Sequence, residues 1–156
     1  MILILDEWII HDLQNDNGMD KQKESFQFLQ KIKEKCDEIV LIEGSKFTEK
    51  LWDFSKKASQ IIEFKAKFGF LKGSFIYNSK KTKIINLQDI ESKNYDDILK
   101  DVNRDDHYLV LCYEYLKQKG KETIIITTDK NLKRTLEQKG ISIELRDEFL
   151  KKYTIK

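Results

Sequence analysis

The sequence predicts an α/β domain of three layers, in which helices cover both faces of a central, mainly parallel sheet. Short apolar runs such as residues 2–5 stop at charged or turn residues, which is typical of buried parallel strands. Between these runs, apolar residues recur every three or four positions, the period of a helix with one buried face. A chain of 156 residues fits a single domain, residues 1–156, around one core.

The first half of the chain alternates predicted strands and helices. In chain order these are a strand at 2–5, a short helix at 8–13, a helix at 21–35 with Asp20 as its N-cap, a strand at 38–42 and a helix from Ser45 to about residue 57. In the second of these helices, Phe26, Leu29 and Ile32 lie on one face, and Cys36 continues it. We therefore expect Cys36, like Cys112, to be a reduced thiol in the core.

The second half begins with a predicted hairpin and then returns to alternating helices and strands. The hairpin has strands at 74–77 and 82–87 around a turn at 78–81. The later elements are a short helix at 97–102, a helix from Asp105 to Gly120, a strand at 124–127, a helix at 129–139 closed by Gly140, a strand at 141–145 and a helix at 147–152.

Composition limits the classes of protein to which the chain can belong. Hydrophobic residues make up 40% and charged residues 36%, the balance of a folded protein with an ionic surface. The net charge of +2 gives no basic excess, so composition alone does not predict nucleic-acid binding. Two distant cysteines exclude a CxxC pair or a zinc knuckle. No apolar run is long enough for a membrane span, and no signal peptide precedes the first strand, so we expect a cytoplasmic protein.

Three aspartates are predicted to meet at one edge of the sheet. Asp6 directly follows the first strand, and Asp129 closely follows the strand at 124–127. Asp105 begins a helix whose inner face, carrying Tyr108 and Leu109, would pack near the same edge. Ligands of parallel sheets bind beyond the carboxyl ends of the strands. Carboxylates placed so close together repel one another unless a hard cation such as Mg²⁺ or Mn²⁺ binds between them.

These segments resemble the three acidic blocks of PIN-domain nucleases. The segments are LDEW at 5–8, DDHYLVLC at 105–112 and TTDKNL at 127–132, and their order and spacing fit the family. The paired acids of the second segment and the DKNL of the third are more similar to PIN domains of RNA-surveillance endonucleases than to the commonest bacterial toxins. The resemblance covers both ends of the chain and is weak between residues 64 and 100.

The resemblance implies a metal-dependent endoribonuclease that hydrolyses RNA phosphodiester bonds. It implies Asp6, Asp105 and Asp129 as ligands of Mg²⁺ or Mn²⁺, with Glu49 as a fourth catalytic acid. The implied substrate is single-stranded RNA, in a toxin or RNA-processing role. The implied protein partners are a second copy of the chain, in a homodimer, and an antitoxin-like protein.

The sequence departs from the family pattern at two places. Glu7 and Trp8 stand where the family has a small residue after the first aspartate. The family's second acid, inside the helix after the second strand, aligns with or near Lys50, with Glu49 adjacent and Glu43 at the strand end. A lysine at that place leaves one metal ligand fewer and favours the alternative function, a PIN-like module that binds RNA or a partner protein without cleaving.

Two other enzyme and signalling classes fit the acids less well. Phosphatases that form a covalent aspartyl phosphate require a second aspartate two positions after the first, where Trp8 stands. Receiver domains require an acceptor aspartate at the end of a middle strand and a downstream lysine, and only Asp6 and loosely placed lysines correspond. Each of the three aspartates also fits a purely local role as a helix cap or turn residue.

Overall fold

The strands of the sheet are the short apolar runs of the sequence. A computed structural model describes residues 1–91 and 95–155. In these ranges five strands form one sheet, all parallel, in the order β3-β2-β1-β4-β5. The strands are β1 Ile2–Leu5, β2 Glu38–Glu43, β3 Thr82–Asn86, β4 Thr123–Thr127 and β5 Ile143–Leu145. The sheet and its helices confirm the predicted three-layer α/β fold.

Helices connect the strands and bury their apolar faces against the sheet. They are α1 Trp8–Leu13, α2 Met19–Glu34, α3 Lys46–Gln60, α4 Ile62–Leu71, α5 Leu87–Glu91, α6 Asp96–Leu99, α7 His107–Gln118, α8 Lys130–Gln138 and α9 Arg146–Thr154. Ser45 and Asp129 are N-caps that accept hydrogen bonds from backbone N–H groups of α3 and α8. Within the described ranges, no helix is long and apolar enough to cross a membrane.

The predicted hairpin at 74–87 is wrong. Its first half belongs to a π-helical turn, Lys72–Ile76, and its second half, β3, pairs in parallel with β2. The β-forming residues of the first half are held in a helical turn by packing, since Phe75 is fully buried and its ring meets that of Phe70 edge to face. A parallel pair needs a long crossover, which α3 and the unpredicted α4 provide.

Two smaller predictions about α2 are also wrong. The helix begins at Met19, and its N-cap is Gly18, whose φ of 101° suits glycine, so Asp20 lies inside the first turn. The helix ends at Glu34, and the extended backbone that follows leaves Cys36 exposed. Cys112 lies in the core as expected, and burial raises the pKa of its thiol to about 12.

A buried ionic network ties α1, α2 and α9 together behind the carboxyl end of β1. The Arg146 side chain, 1% exposed, donates from Nε to Asp12 Oδ2 at 2.7 Å and from Nη2 to Ser25 Oγ at 3.2 Å. Ser25 also donates to Asp12 at 2.6 Å, and Nη1 donates to Glu24 at 3.0 Å. The guanidinium lies 5.4 Å from the centre of the Trp8 ring. Both buried charges are thus paired and hydrogen-bonded, as burial requires.

We expect Arg146→Met to lower the free energy of unfolding by about 3–5 kcal/mol, because it leaves the Asp12 carboxylate buried and unpaired. The double variant Asp12→Leu/Arg146→Met, which removes both charges, should recover much of that loss. Lys152→Met is the matched control, since it breaks an exposed ion pair with Glu144 and should cost no more than about 1 kcal/mol. Urea titration measures all three, and equal losses for the two single variants would contradict this account.

Candidate functional site

A cleft of about 620 Å³ opens at the carboxyl ends of β1 and β4. Six carboxylates line it, and one of them, Asp12, is paired with Arg146. We call the cleft the acidic cleft after the other five: Asp6, Glu7, Asp105, Asp106 and Asp129. The structure therefore brings the three predicted aspartates together in one cleft. The β1–β4 pairing explains this, because its register sets Leu5 opposite Ile126 and so places the residues after both strands side by side.

One buried hydroxyl links the two strand-end aspartates. Thr127, fully buried at the end of β4, donates from Oγ1 to Asp6 Oδ2 at 3.0 Å and accepts from the Asp129 N–H at 3.1 Å. Asp6 Oδ1 accepts from the Glu7 N–H at 2.6 Å and from the Tyr108 hydroxyl at 3.4 Å. Burial and the charge of Asp6 raise the pKa of Tyr108 far above its usual range, so this hydroxyl stays a neutral donor.

Asp129 serves as a helix cap and still presents a carboxylate oxygen to the cleft. Its Oδ1 accepts from the N–H groups of Asn131 and Leu132, at 2.9 and 3.0 Å. No residue in the described ranges makes a hydrogen bond to Oδ2. The local capping role and a ligand role are therefore compatible, since each uses a different oxygen of the same carboxylate.

Lys46, at the start of α3, is the cation that lines the acidic cleft beside Asp105. Its Nζ lies 2.9 Å from Asp105 Oδ2, and the hydrogen bond to Asp105 raises the pKa of the ammonium group. The structure places neither Glu49 nor Lys50 in the lining of the cleft, and Glu49 is exposed. Glu43 is also exposed and does not line it.

Lys46, Glu7 and Asp106 are not among the site residues predicted from the sequence. The sequence did contain a signal for Lys46: it directly follows Ser45, the N-cap of α3 that comes after β2, so it lies at the same edge of the sheet as Asp6. The structure brings Glu7 and Asp106 to the cleft wall as well.

The negative charges of the carboxylates in the cleft act on one another. Burial, followed in order of effect by the charges of Asp6, Asp129, Asp105 and Glu7, raises the pKa of Asp106 from 3.8 to about 6. Like charges disfavour ionisation of their neighbours, so this shift indicates that the other acids lie within electrostatic reach of Asp106. The six carboxylates that line the cleft outnumber the three basic side chains there, Lys21, Lys46 and Arg146.

The donor set suits a hard divalent cation. It consists of carboxylate oxygens, which Mg²⁺ and Mn²⁺ prefer. Among the described residues, however, no three acidic, histidine or cysteine side chains are already grouped as a metal cage. Mg²⁺ usually keeps several water ligands and binds through one or two carboxylates. Asp6 and Asp129 together meet that smaller requirement, and Asp105 can join them if it leaves Lys46.

We expect Asp106→Asn to raise the thermal midpoint by about 2–6 °C at pH 7.5 and by less at pH 4.5. The folded protein holds the Asp106 proton more tightly than the unfolded chain, so that contribution is fully present below about pH 3.8 and is lost as the pH rises through about 6. Asparagine carries no charge, and Asp106 makes no side-chain hydrogen bond that caps α7, so the substitution removes no cap. Calorimetry in EDTA measures the difference, with exposed Asp53→Asn as control, and an equal shift at both pH values would contradict it.

Comparisons with known proteins leave the chain without an assigned family. No model of a known protein family matches it. No curated protein and no solved structure matches it either.

Proposed function

We propose that the chain is a Mg²⁺- or Mn²⁺-dependent endoribonuclease, the activity that its resemblance to PIN-domain nucleases implies. The observation that supports this most is the acidic cleft, because it places Asp6, Asp105 and Asp129 with two further carboxylates at the carboxyl edge of a parallel sheet. We further propose that it acts in the cytoplasm on single-stranded RNA. A homodimer and an antitoxin-like partner stay predictions of the resemblance.

In this proposal each residue of the cleft has a distinct task. Asp6 and Asp129 would hold the metal ion, and the Thr127 hydroxyl links the Asp6 carboxylate to the backbone of Asp129. The bound ion supplies an activated water and offsets charge on the phosphoryl oxygens. Asp105 would be a further metal ligand once its ion pair with Lys46 is broken, and the Lys46 ammonium group would then be available to bind a phosphate oxygen of the RNA as a point charge. No protein nucleophile is required.

Asp129→Asn tests the role of the carboxylates with little disturbance of the fold, because asparagine preserves the cap of α8. We expect it to lower Mn²⁺-dependent cleavage of a labelled single-stranded RNA by at least the roughly 10–100-fold that loss of an outer-shell partner costs. Wild-type cleavage should disappear in EDTA. Glu49→Gln is the matched control, since Glu49 is acidic and exposed and lies outside the cleft lining.

Two results would contradict this assignment. Cleavage that persists in EDTA would exclude metal-dependent chemistry. Equal effects of Asp129→Asn and Glu49→Gln, at unchanged thermal midpoints, would exclude the acidic cleft as the place of reaction. RNA cleavage by a contaminant is recognised because it survives in every variant alike.

The second candidate is a module that binds RNA without cleaving it. The ion pair between Lys46 and Asp105 favours it, because an ammonium group occupies a carboxylate that the nuclease needs for its metal. In that case RNA would bind equally well with and without EDTA, and no Mn²⁺ concentration would produce cleavage. A gel-shift titration run beside the cleavage assay separates the two functions.

We expect Lys46→Gln to tighten Mn²⁺ binding by about two- to fivefold, the equivalent of one exposed ion pair. The substitution frees Asp105 and removes a positive charge that repels the metal. Titration calorimetry without RNA measures the dissociation constant. Lys50→Gln is the control because Lys50 has the same charge and lies outside the cleft lining. Mn²⁺ affinity that is unchanged in Lys46→Gln would show that Asp105 takes no part in metal binding.

A further inference from the structure

A second groove, of about 590 Å³, adjoins the acidic cleft. The two share Lys46 and Asp105, so this ion pair forms part of the wall of both. We call this second groove the Tyr95 groove. Its wall is more polar than apolar: it carries the charged side chains Lys46, Asp96, Arg104 and Asp105 together with Tyr95 and His107, and its main apolar part consists of Leu87, Leu99 and Leu111.

The hydroxyl of Tyr95 lacks the partner that its burial demands. Tyr95 is only 8% exposed, and its hydroxyl oxygen is buried without a hydrogen bond to any described residue. Other tyrosines of the protein differ, since the hydroxyl of Tyr108 donates to Asp6 and that of Tyr153 donates to Asp37. A buried hydroxyl without a partner is unfavourable for folding, so a native example calls for an explanation. A ligand that supplies the missing hydrogen bond is such an explanation.

His107 offers a hydrogen-bond acceptor in the same groove. Its Nε2 lies 2.9 Å from the backbone carbonyl oxygen of Val102. A carbonyl oxygen only accepts, so Nε2 carries the proton, and Nδ1 of the neutral ring is left as an acceptor. With the hydroxyl of Tyr95 and the exposed guanidinium of Arg104, the groove contains a neutral donor, a neutral acceptor and a cation.

We propose that the Tyr95 groove binds the nucleoside next to the phosphate that the acidic cleft cuts. This rests on the proposed ribonuclease function and names the subsite of that substrate. A nucleobase has apolar faces, which suit the leucine side chains, and a polar edge, which suits Tyr95 and His107. Arg104 binds the phosphate on the far side of that nucleoside. A bare anion would leave the leucine side chains without contacts. Lys46 and Arg104 balance the charges of Asp96 and Asp105 in the wall, so the groove has no surplus of carboxylates for a metal ion.

Titration of the full chain with adenosine 5′-monophosphate in EDTA tests the subsite apart from metal and cleavage. We expect saturable shifts of the backbone amide signals of Tyr95, Leu99 and His107 in ¹H–¹⁵N spectra. Ribose 5-phosphate, which lacks the base, should bind at least about fivefold more weakly. Arg104→Gln should weaken the nucleotide and leave adenosine unchanged, because only the nucleotide carries a phosphate.

Tyr95→Phe removes the hydroxyl alone. It should weaken binding of the nucleotide by about 2- to 10-fold, the value of one hydrogen bond, and should not lower the thermal midpoint. Thr82→Val is the matched control, because the Thr82 hydroxyl is likewise buried without a partner and lies outside the groove. It should leave binding unchanged.

The proposed subsite is wrong if Tyr95→Phe binds the nucleotide as tightly as the wild type, or if the shifts of the amide signals centre on Asp6 and Asp129. Ribonuclease activity without nucleotide binding in the groove would reject the subsite and keep the proposed function. Nucleotide binding that Tyr95→Phe weakens, with no cleavage under any metal condition, would support the subsite and reject the nuclease assignment.

Discussion

The mutual repulsion of carboxylates at one edge of the sheet is the constraint on which the candidate site depends. The parallel pairing of β1 with β4 makes Asp6 and Asp129 neighbours, and Thr127 fixes them there through one hydroxyl that donates to the first and accepts from the backbone of the second. Two features of the protein each reduce this repulsion in part. Asp106 keeps its proton up to about pH 6, and Lys46 pairs with Asp105. Neither removes the surplus charge, which leaves the cleft suited to a divalent cation.

The same end of the molecule contains a second set of charges that is fully satisfied. Arg146 and Asp12 also line the cleft, yet both are 1% exposed and have hydrogen-bond partners in α1, α2 and α9. A paired and hydrogen-bonded charge of this kind holds three helices in place, whereas charges without sufficient partners are free to take part in binding. This contrast distinguishes the residues that hold the cleft together, Arg146 and Asp12, from the carboxylates that are available to bind a ligand. It also explains why the guanidinium of Arg146 is a poor candidate for phosphate binding.

Residues whose position follows from the direction of the parallel strands could be predicted from the sequence, whereas residues whose position depends on tertiary packing could not. Asp6 and Asp129 could be placed because each comes after an apolar strand, and parallel strands end at one edge. The three-layer fold was predicted from the same alternation. The prediction of a strand at 74–77 was wrong, because the burial of Phe75 in a helical turn contributes more to stability than the β-propensity of its neighbours. Tyr95 could not be recognised as a site residue, because its burial depends on how the helices pack around it, and that packing leaves no periodic signal in the sequence.

The ion pair between Lys46 and Asp105 lies in the wall that the acidic cleft and the Tyr95 groove share. Both residues are exposed, so water screens this pair and it contributes little to stability. Under the proposed function, a metal ion near Asp105 and a phosphate near Lys46 would each compete with this ion pair. The RNA that we propose as substrate would then extend from the acidic cleft into the Tyr95 groove, with its phosphate beside the carboxylates. The lysine that argues against a preformed metal cage would in that case also be the residue whose release joins the two sites.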